Sequence, residues 1–247
     1  MDQNEDQIKC LNCGEILNGS FCTHCGQKHQ PIRPFVSILK ESFNNFSLID
    51  NRIFHSVKYL LFKPGFLTNE YIAGRRKRYS SPLKMYLLVS AIYFAVLTLT
   101  DTNTFFGSLT IAESASEGLK VWLPRLMFCL MPILALFLKF LFLKKNRYYY
   151  EHLIFSLHYY SFYFLTVIGI ALIRYYSGIS LPDIRETHWW IVVPDSTLQF
   201  LPFLYLIISL KKVYRLKTWW AILSALIILI FLFLILISAG DIAERIW

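Results

Sequence analysis

The sequence predicts an all-α membrane protein of about five transmembrane helices, and three observations carry that prediction. Hydrophobic residues fill 55% of the 247 positions and charged residues only 17%, whereas a soluble domain is roughly 45–50% apolar and about 25% charged. The charges cluster, so that long uncharged runs alternate with basic stretches. Five of those runs approach the about 20 residues that a helix needs to cross about 30 Å of hydrocarbon. The net charge of +9 does not point to nucleic acid. Binders of nucleic acid gather basic residues on one soluble face, and here they recur at the ends of apolar segments.

Residues 1–9 are polar and acidic and lack the charged-then-apolar pattern of a cleavable signal. The N-terminal region is therefore expected to stay in a reducing compartment. Four of the five cysteines follow as two pairs, Cys10 and Cys13, then Cys22 and Cys25, each CxxC followed by glycine. Two residues between thiolates let one tight turn present both sulfurs to a tetrahedral ion, and Gly14 and Gly26 permit the positive φ that folds the chain over it. Ile16–Phe21 reads as a minimal β-hairpin with Asn18-Gly19 at its turn. So short a module has almost no core, and metal binding must supply most of its folding free energy. A redox CxxC needs a helix N-terminus in an αβ domain, which is missing here, and two disulfides conflict with a reducing compartment. Iron fits four thiolates chemically, but the eight residues between the pairs leave no sheltering core. The expectation is one structural zinc ion, with every position filled by cysteine and none open for water activation. His24 and His29 are expected to be exposed rather than ligands, and Cys129 to be a small buried side chain.

Between residues 34 and 81 the pattern becomes amphipathic. Phe35, Ile38, Leu39, Phe43 and Phe46 keep helical spacing. Asp50 is placed to cap a second helix carrying Ile53, Phe54, Val57, Leu60 and Leu61 on one face, ended by Pro64-Gly65. A third short helix is expected over Thr68–Ala73, stopping at Gly74. Ser81-Pro82 then reads as the N-cap and first-turn proline of the first span. Such helices either lie in the membrane interface, with Arg75, Arg76, Lys77 and Arg78 near anionic headgroups, or pack on the bundle's inner face.

The spans are Lys84–Thr100, Val121–Leu143, His152–Ile173, Trp189–Leu210 and Trp219–Ser238. Prolines inside the second and fourth (Pro132, Pro194, Pro202) are tolerated where neighbouring groups satisfy the freed carbonyls. Aromatic residues mark the ends at Tyr148–Tyr150, Trp189-Trp190 and Trp219-Trp220, as an interfacial belt requires. The segments 75–84, 139–151 and 211–217 hold thirteen basic residues and one acid, Glu151; the segments 101–120, 174–188 and 239–247 hold four basic residues and seven acids. Basic loops stay cytoplasmic, which puts the N-terminus inside and the C-terminus outside. The expected organisation is a zinc ribbon at 1–30, cytoplasmic or interfacial helices at 34–81 and a transmembrane bundle at 82–247.

The ribbon, Pro64-Gly65, Tyr71-Ile72, Gly74-Arg75-Arg76, Tyr79 and Pro82 together resemble an uncharacterised bacterial family. Its members join a short four-cysteine ribbon to this basic juxtamembrane segment and several spans. The resemblance covers roughly the first 95 residues and implies a bacterial inner membrane, without implying an activity.

Ionisable groups within spans are costly and are candidates for function. Arg125 and Asp195 fall at similar depth in the outer half with opposite charge, and His158 lies in the inner half of the third span. A transporter or channel subunit could use Arg125, His158, Asp195 and Gln199 around the proline-bearing helices. The plainer alternative is that Arg125 snorkels to its interface and His158 hydrogen-bonds within the bundle. No nucleophile elbow, zincin helix or intramembrane acid pair is present, so enzymatic activity is not expected. The leading expectation is a non-enzymatic membrane protein whose ribbon meets a protein partner on the cytoplasmic side. Lys9 and Lys28 against Glu5, Asp6 and Glu15 disfavour nucleic acid there.

Overall fold

The structure, a computed structural model, describes residues 8–29, 51–100, 117–177 and 189–246. The helix expected over residues 35–46, the Asp50 cap and the side chains of Arg125, Asp195 and Gln199 lie outside the described residues. Seven α-helices form among those described: α1 (Asn51–Phe62), α2 (Phe66–Ile72), α3 (Pro82–Thr100), α4 (Glu117–Leu141), α5 (Tyr149–Ser177), α6 (Trp189–Tyr214) and α7 (Thr218–Ile246).

Local chemistry explains where these helices start and stop. α3 opens at Pro82, whose missing N–H costs nothing at that position, while the Lys84 amide donates to Ser81 Oγ at 3.4 Å. α1 ends before the turn at Pro64-Gly65, where Gly65 takes φ 73°. α6 ends because Arg215 adopts φ 51° and the Leu216 amide donates back to the Lys211 carbonyl at 3.1 Å. A left-handed residue just past a helix end satisfies carbonyls that would otherwise be orphaned. On α1 the buried face is Ile53, Ser56 and Leu60. Phe54 and Leu61, expected on that face, are exposed instead, because the face follows the partner that α1 packs on and not the widest apolar arc.

α5 is the centre of the bundle. It packs on α3, α4 and α6, and α7 closes a four-helix ring by touching α4 and α6. The aromatic core is dense, with Phe162 stacked on Tyr205 at 3.7 Å, Phe142 on Tyr214 at 4.2 Å and Tyr93 on Phe164 at 4.6 Å between ring centroids.

Three helices among the described residues are long and apolar enough to cross a membrane: Pro82–Thr100, Tyr149–Ile173 and Thr218–Ile235. Their burial runs opposite to their polarity. α5 carries His152, Ser156, His158, Ser161 and Thr166, yet 83% of its most apolar stretch is buried; in α7, nearly pure Ile, Leu and Phe, the share is 28%. Leu226, Ile230, Phe233, Leu234 and Ile237 of α7 all face outward. Soluble proteins do not expose contiguous apolar faces of this size, and a hydrocarbon solvent accounts for the inversion.

The short α2 is wedged into one end of this bundle. Leu67, Thr68 and Tyr71 are buried, and Gly65, just before it, lies against Ser209 and Val213 of α6. Thr68 Oγ1 and His158 Nδ1 share a buried hydrogen bond of 2.9 Å. On the same helix, His152 Nδ1 meets the Tyr214 hydroxyl at 2.7 Å. Arg147 lies over the Tyr214 ring, pairs with Glu151 at 3.1 Å and donates to the Val213 carbonyl at 2.7 Å, tying the α4–α5 connection to the end of α6.

Candidate metal centre

Each CxxC-Gly segment folds into the same turn. The Cys10 amide donates to the Glu15 carbonyl at 2.7 Å and the Gly14 amide to the Cys10 carbonyl at 2.8 Å. Twelve positions on, the Cys22 amide donates to the Gln27 carbonyl at 2.9 Å and the Gly26 amide to the Cys22 carbonyl at 2.8 Å. Gly14 and Gly26 take φ 82° and 67°, the left-handed geometry that a residue with Cβ adopts at a cost. The pairing differs from the expected hairpin over Ile16–Phe21. Isolated antiparallel bridges join Lys9 to Ile16 and Phe21 to Lys28, so each cysteine turn is closed by its own flanks, and residues 18–20 form only a bend between the two copies. The CxxC-Gly turn already reverses the chain. Gly19 does not take the positive φ that a two-residue type I′ turn demands.

The two turns bring four sulfurs together. Cys10 and Cys25 Sγ lie 3.6 Å apart, Cys13 and Cys22 Sγ 3.5 Å, and all four fall within 4.8 Å of one another. None is in a disulfide. Zinc–sulfur bonds of about 2.3 Å at tetrahedral angles put sulfurs roughly 3.8 Å apart, so the cluster has the dimensions of a four-thiolate metal site. Cys10 and Cys22 are buried, Cys25 half-buried and Cys13 exposed. The Cys22 thiol is drawn down to about 6, chiefly by the Cys25 backbone amide aimed at its sulfur. At Cys13 the Glu15 amide favours the thiolate, but desolvation and the Cys22, Cys25 and Cys10 sulfurs outweigh it and push the thiol up to about 12. Four sulfurs this close cannot all carry charge unless a cation sits among them. His24 is exposed and His29 half-buried, and neither joins the cluster.

The pair of cysteine turns does not hang free. α2 ends in a Schellman motif: Gly74 takes φ 86°, the Arg75 amide donates to the Glu70 carbonyl at 3.0 Å and the Gly74 amide to the Tyr71 carbonyl at 3.2 Å. The side chains that flank this motif, often apolar, are here an ion pair, with Arg75 Nε and Nη2 on the Glu70 carboxylate at 2.7 and 2.5 Å. Gln27, from the second cysteine turn, grips this end. Its Nε2 donates to the Gly74 carbonyl at 2.7 Å, and its Oε1 accepts from the Arg76 and Lys77 amides, each at 3.2 Å. Leu11, from the first turn, covers Gly74 so closely that a Cβ there would come within 2.7 Å of its Cδ1. Arg76 lies over the Tyr71 ring at 5.1 Å and its Nε donates to the Tyr71 carbonyl at 3.2 Å.

Of the residues singled out from sequence, the structure thus gathers the four cysteines and sets the basic turn 75–78 beside them. His158 is placed separately, inside the bundle with Thr68 as its partner, and Arg125, Asp195 and Gln199 lie outside the described side chains. Gln27 and Leu11 were not anticipated. A twelve-residue repeat (Ile8–Leu17 copied as Ser20–His29) was available as a signal for the paired turns, but a single glutamine carries no pattern.

A family described as proteins of unknown function (DUF3667) matches residues 50–94. That stretch holds α1, α2, the basic turn and most of α3, the surface on which the cysteine turns sit, and does not include the cysteines. Comparison with curated proteins and with solved structures gives no match.

Proposed function

We propose that the chain is a polytopic protein of a bacterial inner membrane, with five spans and a cytoplasmic N-terminus. Its Cys10, Cys13, Cys22 and Cys25 hold one structural zinc ion. The ribbon and the basic turn serve as a non-enzymatic platform for a cytoplasmic protein partner, with lipid as the solvent of the bundle. The observation that carries this reading is the Gln27 grip on residues 74–77. A metal-folded module held rigidly at the mouth of the first span presents a fixed surface, where a tethered one would not. Elemental analysis of purified protein should give about one zinc per chain, and Cys22→Ser should abolish it. Pull-down from mild detergent, comparing the full chain with Gln27→Ala and Cys22→Ser, should lose a partner in the variants while membrane insertion persists. An unchanged set of captured proteins would contradict the platform.

One observation favours transport as a second reading. The Tyr93 and Tyr160 hydroxyls are buried between α3 and α5 without a hydrogen-bond partner among the described residues, a cost that water or a polar solute in the bundle would relieve. Uptake or leak assays on proteoliposomes, with Tyr93→Phe and Tyr160→Phe as controls, separate it from the platform.

A further inference from the structure

α1 has two faces of different fate. Ile53, Ser56 and Leu60 are buried, where the helix packs on α2 and α5. On the opposite side Phe54, Lys58, Leu61 and Phe62 fall one or two turns apart and share a stripe. Phe54 is 69%, Leu61 38% and Phe62 77% exposed, and Lys58 stands exposed among them. The helix contains no acid, and Lys63 follows it directly. An apolar stripe bordered by basic residues is a surface built to be covered.

What covers it follows from where α1 is held. Ser56 Oγ accepts from the Ser80 amide at 2.8 Å, and His55 stacks on Tyr79 with ring centroids 5.8 Å apart. Those partners stand two and three residues before Pro82, where α3 begins. α3 is a candidate span of 19 residues, about 28 Å long at about 1.5 Å per residue. That length matches about 30 Å of hydrocarbon, so the boundary at this end falls close to Pro82. Beyond the other end of α1, Gly65 lies against Ser209 and Val213, in the last turns of α6 beside Lys211 and Lys212. Both anchors belong to the end of the bundle into which α2 is wedged. α1 therefore lies across that end, at the level of the hydrocarbon boundary, and does not project from it.

We propose that α1 is a membrane-interface helix, whose Phe54, Leu61 and Phe62 sink between the headgroups of the bilayer that holds the bundle, with Lys58 and Lys63 drawn to anionic headgroups. Amphipathic helices with basic residues beside an apolar face bind lipid in this way. The bilayer that the open sides of α3 and α7 require supplies the occupant, since α1 is held at its edge. Lysine suits that position because its methylene stem lies along apolar surface while the ammonium reaches the headgroups. Lys63 is already set over the Tyr59 and Phe66 rings at 5.0 and 5.5 Å, aromatic groups of the kind that favour the interface. The inference rests on the bundle lying in lipid and deepens the platform reading, because α1 and α2 then fix the height at which the cysteine turns stand.

The test uses the full chain in nanodiscs of phosphatidylcholine and phosphatidylglycerol in equal amounts. The photo-crosslinker p-benzoylphenylalanine takes the place of Phe54, Phe62, Ile230 or Asn18 in turn, and irradiated protein is analysed by mass spectrometry. Lipid adducts are expected at positions 54 and 62, and at 230 on the outward face of α7. None is expected at 18, which is exposed on the bend between the cysteine turns. Among the adducts at 62, phosphatidylglycerol should exceed phosphatidylcholine about twofold or more. Lys58→Gln/Lys63→Gln should bring the two lipids to parity there and leave the adducts at 230 as they are. Lipid adducts at 230 with none at 54 and 62, or with those two positions joined to protein instead, would overturn the proposal. Equal adducts at 18 and 54, or a lipid ratio at 62 that ignores the two lysines, would overturn it as well. No lipid adduct at 230 would instead count against the membrane reading itself.

Discussion

Gly74 sits where two requirements meet, a left-handed backbone to end α2 and a flat surface for Leu11. Gly74→Ala violates both: a left-handed residue with Cβ costs roughly 1–2 kcal/mol, and the new methyl would press on Leu11 at 2.7 Å. Thermal unfolding in detergent should show destabilisation of at least about 1 kcal/mol, against little change for Gly19→Ala, whose Cβ would meet nothing. Adding Leu11→Ala should recover the steric part alone. Gln27 offers a cleaner separation of docking from metal binding, because it is no ligand and its side chain serves only the Gly74 turn. Gln27→Ala should speed hydrogen exchange at the Arg76 and Lys77 amides while leaving zinc content at the wild-type level. Slow exchange in that variant would mean that the turn holds itself. At this scale the cysteines were legible because their chemistry depends on spacing within one turn. The grip of Gln27 on a carbonyl and two amides joins residues 47 to 50 positions apart, and nothing local marks a glutamine for it.

Among the elements, α2 depends most on its surroundings. Seven residues are too few for a helix to persist in water, so its order comes from the Schellman end, from Leu67 and Tyr71 buried against the bundle, and from the Thr68–His158 hydrogen bond. Thr68→Val keeps the shape and removes the partner, leaving a buried imidazole nitrogen unsatisfied at a cost of about 1–3 kcal/mol. His158→Leu removes the other half. The double variant should lose less than the sum of the two single changes, since neither partner is then stranded. Strict additivity in unfolding experiments would show that the contact contributes nothing. The end of α2 and the start of α3 were legible from Gly74 and Ser81-Pro82, because glycine and proline act through backbone sterics wherever they stand; α2 begins at Phe66, directly after Gly65, two residues before the expected Thr68. The buried face of α1 was not. Phe54 and Leu61 are as apolar as Ile53 and Leu60, and which pair is covered depends on a partner surface contributed by distant chain.

For the molecule as a whole, the inverted bundle and the distribution of charge bear on the same question. Lipid explains why the polar α5 is buried while α7 shows its Ile, Leu and Phe side chains outward, and the basic loops are the basis of the proposed orientation. With Lys144, Lys145 and Arg147 between α4 and α5 and Lys211, Lys212, Arg215 and Lys217 at the α6–α7 connection, the proposed topology, read by the positive-inside rule, would set both connections on the side of the cysteine turns. The proposed five spans would leave residues 101–120, residues 174–188 and the C-terminus on the far side. Gly107→Cys should react with a membrane-impermeant maleimide in intact cells, whereas Lys144→Cys should react only after the cells are opened. Wild type supplies the background, since its ribbon thiols belong to the protected set. Reaction of Gly107→Cys only after opening would invert the orientation, and reaction of both sites before opening would break the five-span count. The first outcome would put the four thiols in an oxidising compartment, where paired disulfides compete with zinc for the same sulfurs, so the topology and the metal stand on one experiment.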